Sequence, residues 1–471
     1  KSGSQKIYDM AALNDMEVIN VDDFKSKKQK RKHAPLILLN QCLDRVMEFV
    51  DLSSDDQQSI GSTLNRLRHL IFLKVKTKLM DAALDQSRCR HNVRYRMYLD
   101  RYEAAQSRER GMITPHTSKC CFVQAFKQMY HTVEREFLRG ADRMFEVGWK
   151  GAANEGGIDA GGPYREALNE VASDCSSDNF DLFIRCKNGA FERGLNRDRF
   201  VPNPKYTSPL HLQMFEFAGV WMGISYRTRA NLPFMLPSIV WKPLVGMKST
   251  LEDLASIDIE TSTQMEQIVN IKNKEEFETV YPELYFTVNE IELIPGGSNM
   301  KVTLENRKKY VRLLEEYHLN LYSQQVKAIC RGFGSIVPAQ LMRLFTWEEA
   351  DILTCGSPII DLVDLKKHTT YSGFTGPDDP TIKIFWKVLE EFSNEQRSRF
   401  IEFAWGRSRL PRPGTWNKPL GLTRLGTEPN QLPIAHTCFF NIELPPYDNF
   451  EKALKFITIA VEFGTGSMML G

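Results

Sequence analysis

The most informative part of the chain reads Leu432-Pro433-Ile434-Ala435-His436-Thr437-Cys438-Phe439-Phe440-Asn441. This segment sets one thiol among polar and aromatic neighbours. If it is extended, His436 and Cys438 lie on the same face, because side chains of a strand alternate with a period of two. A nearby imidazole can help a thiol to lose its proton, and the thiolate is the attacking species. A cysteine beside aromatic residues is also a common small core residue, so the pattern alone leaves a catalytic and a structural interpretation open.

The composition is that of a globular protein without a strong overall charge. The 471 residues are 42% hydrophobic and 25% charged, and 61 basic against 59 acidic residues leave a formal net charge of +2. This balance creates no global field that would attract nucleic acid or an anionic membrane. No apolar run approaches the ~18 residues of a membrane span, and Lys1–Asp9 lacks the layout of a signal peptide. We therefore expect neither a nucleic-acid partner nor a membrane span.

The nine cysteines are odd in number and scattered, without a CxxC pair. Cys120 and Cys121 are adjacent, a spacing that suits neither a disulfide framework nor a zinc site. The pattern predicts a reducing compartment, in which an exposed thiol survives as a working group. We expect a cytoplasmic location and leave a nuclear one open. The basic run from Lys25 to His33 fits nuclear import or phosphate binding, although such runs are more often solvated linkers.

Upstream of the thiol segment, the chain divides into regions of different character. Residues 1–113 read as a helical N-terminal extension with a basic linker, and a mixed α+β region begins near Thr114. The glycine-rich stretch Gly156–Gly162 lacks the preceding strand and the Lys-Ser/Thr of a phosphate loop, so a tight turn is predicted there. Gly219 and Gly223 lie one helical turn apart in an apolar stretch, which permits close packing of helices.

Apolar periodicity predicts helices at Leu36–Val50, Leu64–Leu84, Val93–Arg110, Glu305–Leu319, Trp347–Leu353, Ile382–Phe392, Asn394–Trp405 and Asn449–Val461. Short strands are expected at Tyr285–Val288 and Ile291–Pro295, and a loop-rich stretch at 407–431. The helical pattern around Trp347–Leu353 stops at Cys355-Gly356-Ser357-Pro358, where Gly and Pro break regular elements and permit a bend. We predict a hinge at these four residues.

The thiol segment resembles the active-site strand of HECT-type ubiquitin ligases, whose pattern runs Leu-Pro, His-Thr-Cys-Phe and Leu-Pro-x-Tyr, the last part being Leu444-Pro445-Pro446-Tyr447 here. Further matches follow in the family's order, at Gly157–Gly162 with Arg165-Glu166, Pro295-Gly296-Gly297, Tyr310-Val311 with Tyr317, Leu344-Phe345, Cys355-Gly356, Phe385-Trp386, Phe392-Ser393-Asn394-Glu395, and Gly406 with Arg409-Leu410-Pro411. They cover roughly Thr114 to Leu470. Phe403–Arg407 and Trp241-Lys242 are most similar to the large HERC-type members.

The resemblance implies a bilobal α+β fold. A larger, mainly helical N-lobe, 114–354, is expected to dock a ubiquitin-loaded conjugating enzyme, and a smaller α/β C-lobe, 359–471, to hold Cys438 as the catalytic residue. The hinge 355–358 is expected to join them. Matching the family's docking surface points to Tyr310, Met265 and Ile268 as contacts for the conjugating enzyme, with an ordinary core role as the alternative.

Ubiquitin, a conjugating enzyme and protein substrates are the implied partners. Transfer from one cysteine thioester to another exchanges like for like, so no metal, organic cofactor or nucleotide is expected on this chain. His436 and Thr437 are expected to orient the thioester or the incoming lysine. Because the chain begins at Lys1 without a methionine, we expect substrate-selecting segments upstream of it.

Two other functions fit parts of the sequence. An inactive HECT-like scaffold would bind ubiquitin or a conjugating enzyme without transfer, and the intact His436-Thr437-Cys438 argues against it. The other alternative is a cysteine hydrolase that uses Cys438. Such enzymes usually have the cysteine at a helix start and the histidine far away in sequence, whereas Cys438 comes late in a strand-like run.

The tail departs from the family's pattern, because Ser467 stands where a phenylalanine is common. Either a methionine beside it takes that role, or the last step uses another contact.

Overall fold

The computed structural model describes residues 27–52, 54, 56–90, 95–140, 143–150, 162–412, 415–416 and 418–463, without the side chains of 27–33 and Cys438. The predicted turn at Gly156–Gly162 lies outside the described residues except for Gly162, and Ser467 also lies outside them. Within the described part, no helix is both long enough and apolar enough to cross a lipid bilayer.

The first part of the chain is helical, with one parallel pair of strands. Its elements are α1 (Lys27–Val46), α2 (Ile60–Arg66), α3 (Leu73–Gln86), β1 (Tyr95–Leu99), α4 (Arg101–Glu109), α5 (Cys121–Met129) and β2 (Phe145–Trp149). The helix predicted over Leu64–Leu84 is interrupted between α2 and α3. There the buried Asn40 side chain donates to the Leu70 carbonyl and accepts from the Phe72 N–H, which satisfies the backbone at the break.

The prediction of a single helix over Val93–Arg110 was wrong. Met97 and Leu99 are fully buried and alternate with exposed residues, which is the period-two pattern of a strand, and β1 pairs in parallel with β2. Asp100 then caps α4, because its carboxylate accepts a hydrogen bond from the Glu103 N–H.

The middle of the chain is mainly helical, with two short pairs of strands. Its elements are α6 (Gly162–Asp174), β3 (Phe183–Arg185), α7 (Lys187–Ala190), β4 (Phe200–Pro202), α8 (Pro209–Thr228), α9 (Ser238–Leu244), α10 (Leu251–Ala255), α11 (Ile259–Asn270), α12 (Lys274–Val280), β5 (Thr287–Val288), β6 (Ile291–Glu292), α13 (Arg307–Asn320), α14 (Ser323–Gly334), α15 (Ala339–Met342) and α16 (Trp347–Cys355).

Helices α8 and α14 pack with their backbones in direct contact. A Cβ on Gly219 would collide with the Ile329 carbonyl, and a Cβ on Gly332 would collide with the Glu216 carbonyl. Gly223 faces the Ile336 side chain in the same way. The predicted close packing at Gly219 and Gly223 is therefore confirmed.

The last part of the chain forms a mixed α/β unit. Its elements are α17 (Leu362–Lys367), β7 (Thr369–Ser372), α18 (Pro380–Glu391), α19 (Asn394–Trp405), β8 (Leu420–Arg424), β9 (Ile434–His436), β10 (Asn441–Leu444) and α20 (Phe450–Phe463). The sheet has the order β7-β8-β10-β9, in which only β9 is antiparallel to its neighbour. The stretch 407–431, expected to be loop-rich, thus contains a central strand of this sheet.

Buried apolar side chains form three separate cores. The first extends from Leu43 to Cys355 and draws on both sides of the predicted boundary between residues 113 and 114. A second, small core lies between Leu254 and Leu314. The third extends from Ile360 to Val461. The first core ends at Cys355 and the third begins at Ile360, so the chain passes from one to the other at the predicted hinge, 355–358.

Candidate functional site

The thiol segment folds as a tight hairpin and not as one strand. β9 ends at His436, residues Thr437–Phe439 form a 3₁₀ turn, and β10 begins at Asn441. Cys438 therefore lies in the turn. The argument that placed His436 and Cys438 on one face of a strand does not apply, because the alternation of side chains ends with the strand.

Phe440 follows the turn and fixes its end. Its backbone is left-handed, with φ of 47° and ψ of 50°, and its N–H donates to the Thr437 carbonyl at 3.3 Å. A left-handed backbone costs a non-glycine residue about 1–2 kcal/mol. The Phe440 side chain is fully buried and stacks on Trp405 with ring centroids 4.3 Å apart, and burying a phenylalanine stabilises by about 1.5–3 kcal/mol. The anchored ring thus holds the turn that carries Cys438.

The two faces of the sheet differ in polarity. One face contributes Leu420, Leu422, Ile442 and Leu444 to the third core. The pairing of β7, β8, β9 and β10 places mainly polar residues on the opposite face, with Ile434 as an exposed apolar one. The others are Thr370, Gly421, Thr423, His436, Asn441 and Glu443. The strand that precedes the thiol therefore turns its histidine toward solvent and toward other polar side chains.

Specific contacts fix the polar face. The Nε2 atom of His436 lies 3.0 Å from Oε1 of Glu443, and Nδ2 of Asn441 donates to Oγ1 of Thr423 at 3.0 Å. A Cβ on Gly421 would lie 2.4 Å from Nδ2 of Asn441, so a larger residue there would displace this amide. Without a side chain at Gly421, the sheet leaves an open depression beside the turn.

The depression lies beside the turn that contains Cys438. It is lined by Thr370, Lys418, Pro419, Gly421, His436, Phe439 and Asn441. Two of these, His436 and Phe439, lie on either side of Cys438 in the chain. Phe439 is 71% exposed, and its ring lies 5.3 Å from Nζ of Lys418. The depression thus offers an imidazole, an amide and an aromatic ring beside the turn that contains Cys438, a setting in which an acyl group could be oriented.

In the described part of the chain, no group of three or more His, Cys, Asp or Glu side chains has the arrangement of a metal site. The eight cysteines whose side chains are described are all free thiols. Burial raises the pKa of several of them, including Cys355 and Cys121. These thiols are buried in the core, and because a thiol that stays protonated is a poor nucleophile, they are not candidates for the catalytic cysteine.

The predicted hinge residues are held closely in this structure. Gly356 ends α16 with φ of +88°, and a Cβ there would lie 2.6 Å from the Leu410 carbonyl oxygen. The Ser357 N–H donates to that same oxygen at 2.7 Å. Cys355 is buried in the first core, and Pro358 accepts a hydrogen bond from the Asn394 amide. Residues 355–358, called the crossing below, thus connect the first and third cores and are held by hydrogen bonds to Leu410 and Asn394.

A buried ion pair lies across the same crossing. Nη1 of Arg409 is 2.9 Å from Oδ2 of Asp351, and it also donates to the Gly356 carbonyl at 3.4 Å. Arg409 is 4% exposed and Asp351 is 7% exposed. Nearby, Arg407 donates to the Ala230 carbonyl at 2.6 Å. These contacts tie the segment after α19 to residues of the first core.

The three predicted docking residues lie together, but inside a core. Tyr310, Met265 and Ile268 are buried members of the small second core, and the Tyr310 hydroxyl donates to the Thr287 carbonyl at 3.3 Å. Burial also raises the pKa of Tyr310. The structure thus gives these side chains the core role that the sequence left as the alternative, and their contact with a conjugating enzyme stays a prediction.

Other residues of the site were not identified from the sequence. Glu443 and Asn441 could have been found from the alternation of polar and apolar residues in Asn441-Ile442-Glu443-Leu444, which indicates a half-buried strand. Lys418 and Gly421 carry no such signal. Gly421 reaches the depression through its pairing with Asn441, and Lys418 precedes β8 by two residues.

Comparisons with known proteins extend these observations. A family model described as HECT-domain (ubiquitin-transferase) matches residues 170–470. The chain is 34% identical over 377 residues to the E3 ubiquitin-protein ligase HERC2 of Mus musculus, covering 78% of this chain and 8% of that protein. It is 29% identical to the E3 ubiquitin-protein ligase ptr1 of Schizosaccharomyces pombe, covering 66% and 10%, and 27% identical to the E3 ubiquitin-protein ligase RSP5 of Chaetomium thermophilum, covering 72% and 41%. The chain thus spans less than a tenth of the length of HERC2.

Proposed function

Because this chain belongs to the HECT-domain (ubiquitin-transferase) family, we propose that it is the catalytic part of a ubiquitin-protein ligase. The family predicted from the sequence, with its likeness to HERC-type members, is confirmed. In the proposed reaction, Cys438 accepts ubiquitin from a conjugating enzyme as a thioester and passes it to a substrate lysine. The observation that carries the proposal is the position of Cys438 in the turn after β9, beside the depression and inside the matched region.

The first step needs a thiolate within reach of another protein's thioester. A turn at the end of a sheet suits this task, since the residue before Cys438 and the residue after it are both partly or fully accessible. The sulfur of Cys438 attacks the thioester carbonyl carbon, and the sulfur of the conjugating enzyme leaves with the electron pair. The exchange of one thioester for another is nearly neutral in free energy. The site therefore has to position Cys438 against the incoming thioester and needs little further activation of the thiol.

The separate cores support the proposed division into lobes. The N-lobe, 114–354, carries the second core and most of the first, which also includes Cys355 and residues of the extension between Leu43 and Ala104. The C-lobe, 359–471, carries the third core and the turn that contains Cys438. The crossing at 355–358 is the proposed hinge. Rotation there would carry the depression toward a conjugating enzyme for the first step and toward a substrate for the second.

We propose that the unit around the second core docks the conjugating enzyme. Because Tyr310, Met265 and Ile268 are buried, they would shape this unit from within. Direct contacts would then come from apolar side chains that the unit exposes, above all Ile291 on β6, which is 51% exposed, and Val280 at the end of α12. Exposed apolar side chains grouped on one small unit are typical of binding surfaces.

The thioester is tested by mixing the protein with ubiquitin, activating enzyme, a panel of conjugating enzymes and ATP, then running a non-reducing gel. We expect a ubiquitin adduct that disappears with a thiol reductant and is absent from Cys438→Ala. Cys42→Ala is the matched control, since Cys42 is exposed but lies far from the depression in sequence, and it should keep the adduct. No adduct from the folded protein with any conjugating enzyme would favour the inactive scaffold.

A further inference from the structure

We infer that Glu443 is a positioning residue for His436 in the second transfer, the attack of a lysine amine on the ubiquitin thioester. This inference rests on the proposed function. It concerns the ion pair between the two strands of the hairpin, in which Nε2 of His436 lies 3.0 Å from Oε1 of Glu443.

The hairpin register brings the two side chains together. His436 is directly opposite Asn441, so Glu443, two residues farther along β10, lies on the same face and diagonal to the histidine. Ile442 and Leu444, on either side of Glu443, are fully buried in the third core. The backbone that carries the carboxylate is therefore fixed, while the carboxylate itself reaches the solvent-facing side of the sheet.

The contact has little value for stability. His436 and Glu443 have side chains that are 46% and 33% exposed, and ion pairs this exposed contribute little to stability. Its main effect is directional. A carboxylate only accepts hydrogen bonds, so a bond to Nε2 requires the proton on that nitrogen and leaves the lone pair of the neutral ring on Nδ1. Among the described residues, none is hydrogen-bonded to Nδ1.

The position of the His436 ring allows Nδ1 to accept a proton during the second transfer. His436 lines the depression beside the turn and precedes Cys438 by two residues. A lysine amine that enters the depression attacks the thioester carbonyl carbon, and a carbon–nitrogen bond forms. The proton released from that nitrogen passes to Nδ1, and the carbon–sulfur bond breaks with its electron pair remaining on Cys438. The imidazolium then returns the proton to the thiolate or to water.

Glu443 assists this step in two ways. It keeps the ring in the orientation and tautomer that present Nδ1, and its charge stabilises the imidazolium through the hydrogen bond to Nε2–H. Lys418 is the other charged group that lines the depression, and its ammonium acts in the opposite sense on the imidazolium. The accepting thiol of Cys438 needs no such assistance in the first step, because a thiol loses its proton far more readily than a lysine ammonium.

The experiment separates the two transfers. The full chain is loaded with labelled ubiquitin, the activating enzyme is stopped by removing ATP, and free lysine is added while loss of the adduct is followed over a range of pH. We expect Glu443→Ala to load within twofold of the unaltered chain and to discharge about tenfold more slowly. His436→Ala should discharge at least as slowly, and the double variant should be no slower than His436→Ala. Glu428→Ala removes an exposed carboxylate of the same lobe and should change neither step.

Two results would overturn the inference. Discharge of Glu443→Ala within twofold of the unaltered chain would remove any role for the carboxylate. An equal slowing by Glu443→Ala in the His436→Ala background would show that it does not act through the histidine. If Glu443→Ala fails to load, Glu443→Gln, which keeps the side-chain volume, replaces it in the same cycle. Failure of the unaltered chain to form any adduct would instead contradict the proposed function itself.

Discussion

Replacing Arg409 by methionine should destabilise the protein far more than any surface arginine would. Arg409 and Asp351 are almost completely buried, with 2.9 Å between Nη1 and Oδ2. Methionine keeps much of the apolar stem of arginine, so the change mainly removes the charge. The Asp351 carboxylate then stays buried without its partner. In the described part of the structure its second oxygen, Oδ1, already has no hydrogen-bond partner, so nothing else compensates it.

Removing one member of a buried ion pair costs about 3–5 kcal/mol, whereas replacing both members by apolar residues is often nearly neutral. We therefore expect Arg409→Met to lose about 3 kcal/mol, and the double variant Arg409→Met/Asp351→Leu to lose less than the single variant. As a control, Arg399→Met removes an exposed arginine that pairs with Glu395 at 2.8 Å. That change should cost below about 0.5 kcal/mol.

Urea unfolding followed by tryptophan fluorescence measures these differences, since Trp347 begins α16, the helix that carries Asp351, and Trp405 ends α19, which precedes Arg409. Because the chain has separate cores and seven tryptophans, each resolved transition should be fitted separately and its midpoint compared between variants. A loss below about 1 kcal/mol for Arg409→Met would refute the reasoning. So would a double variant whose loss equals the sum of the two single losses, since that would mean the charges do not interact.

Three further outcomes are expected. Gly356→Ala places a side chain at φ of +88° and 2.6 Å from a carbonyl oxygen, so it should lower stability by about 2 kcal/mol or more in a thermal melt. Gly406→Ala, at φ of +70° with open space around it, should cost about 1 kcal/mol, and equal losses would refute the role of the crowding. Burial raises the pKa of Asp174 to about 7, so the folded state keeps a proton that the unfolded chain has lost, and stability falls as pH rises toward 8. Asp174→Asn should remove roughly 2–3 kcal/mol of that fall between pH 5 and 8, and an unchanged pH dependence in denaturation curves would contradict it. Ile268→Ala should cost about 2–4 kcal/mol by leaving a cavity, whereas Ile291→Ala should leave stability unchanged and weaken binding of the conjugating enzyme at least fivefold in titration. Unchanged binding for Ile291→Ala would contradict the docking proposal.

Sequence patterns located the long helices well. α19 begins at Asn394 and ends at Trp405, as predicted, because the Ser393 cap and the left-handed Gly406 mark both ends. The close approach of α8 and α14 was also readable from Gly219 and Gly223. These features depend on local residue types, which a single sequence displays directly.

Features that depend on contacts between distant residues were not readable. Arg409 and Asp351 are 58 positions apart, and no local pattern pairs them. The turn at Cys438 was mistaken for strand because the left-handed backbone of Phe440 is set by its stacking on Trp405, not by its own preference. Likewise, burial of Tyr310 depends on the small core around it, and an amphipathic helix alone does not tell whether its apolar face meets a core or a partner.

The parallel pairing of the last sheet affects how the protein folds on the ribosome. β7 pairs with β8, and β8 with β10, so each contact waits for a strand made much later in the chain. Helix α20, which fills the third core through Ala453 and Ile457, is synthesised last of these elements. Domains generally fold in order of emergence, and non-local strand pairing is slow. The hairpin that carries Cys438 thus emerges before α20, and a nascent chain exposes this hairpin while the third core still lacks its last helix.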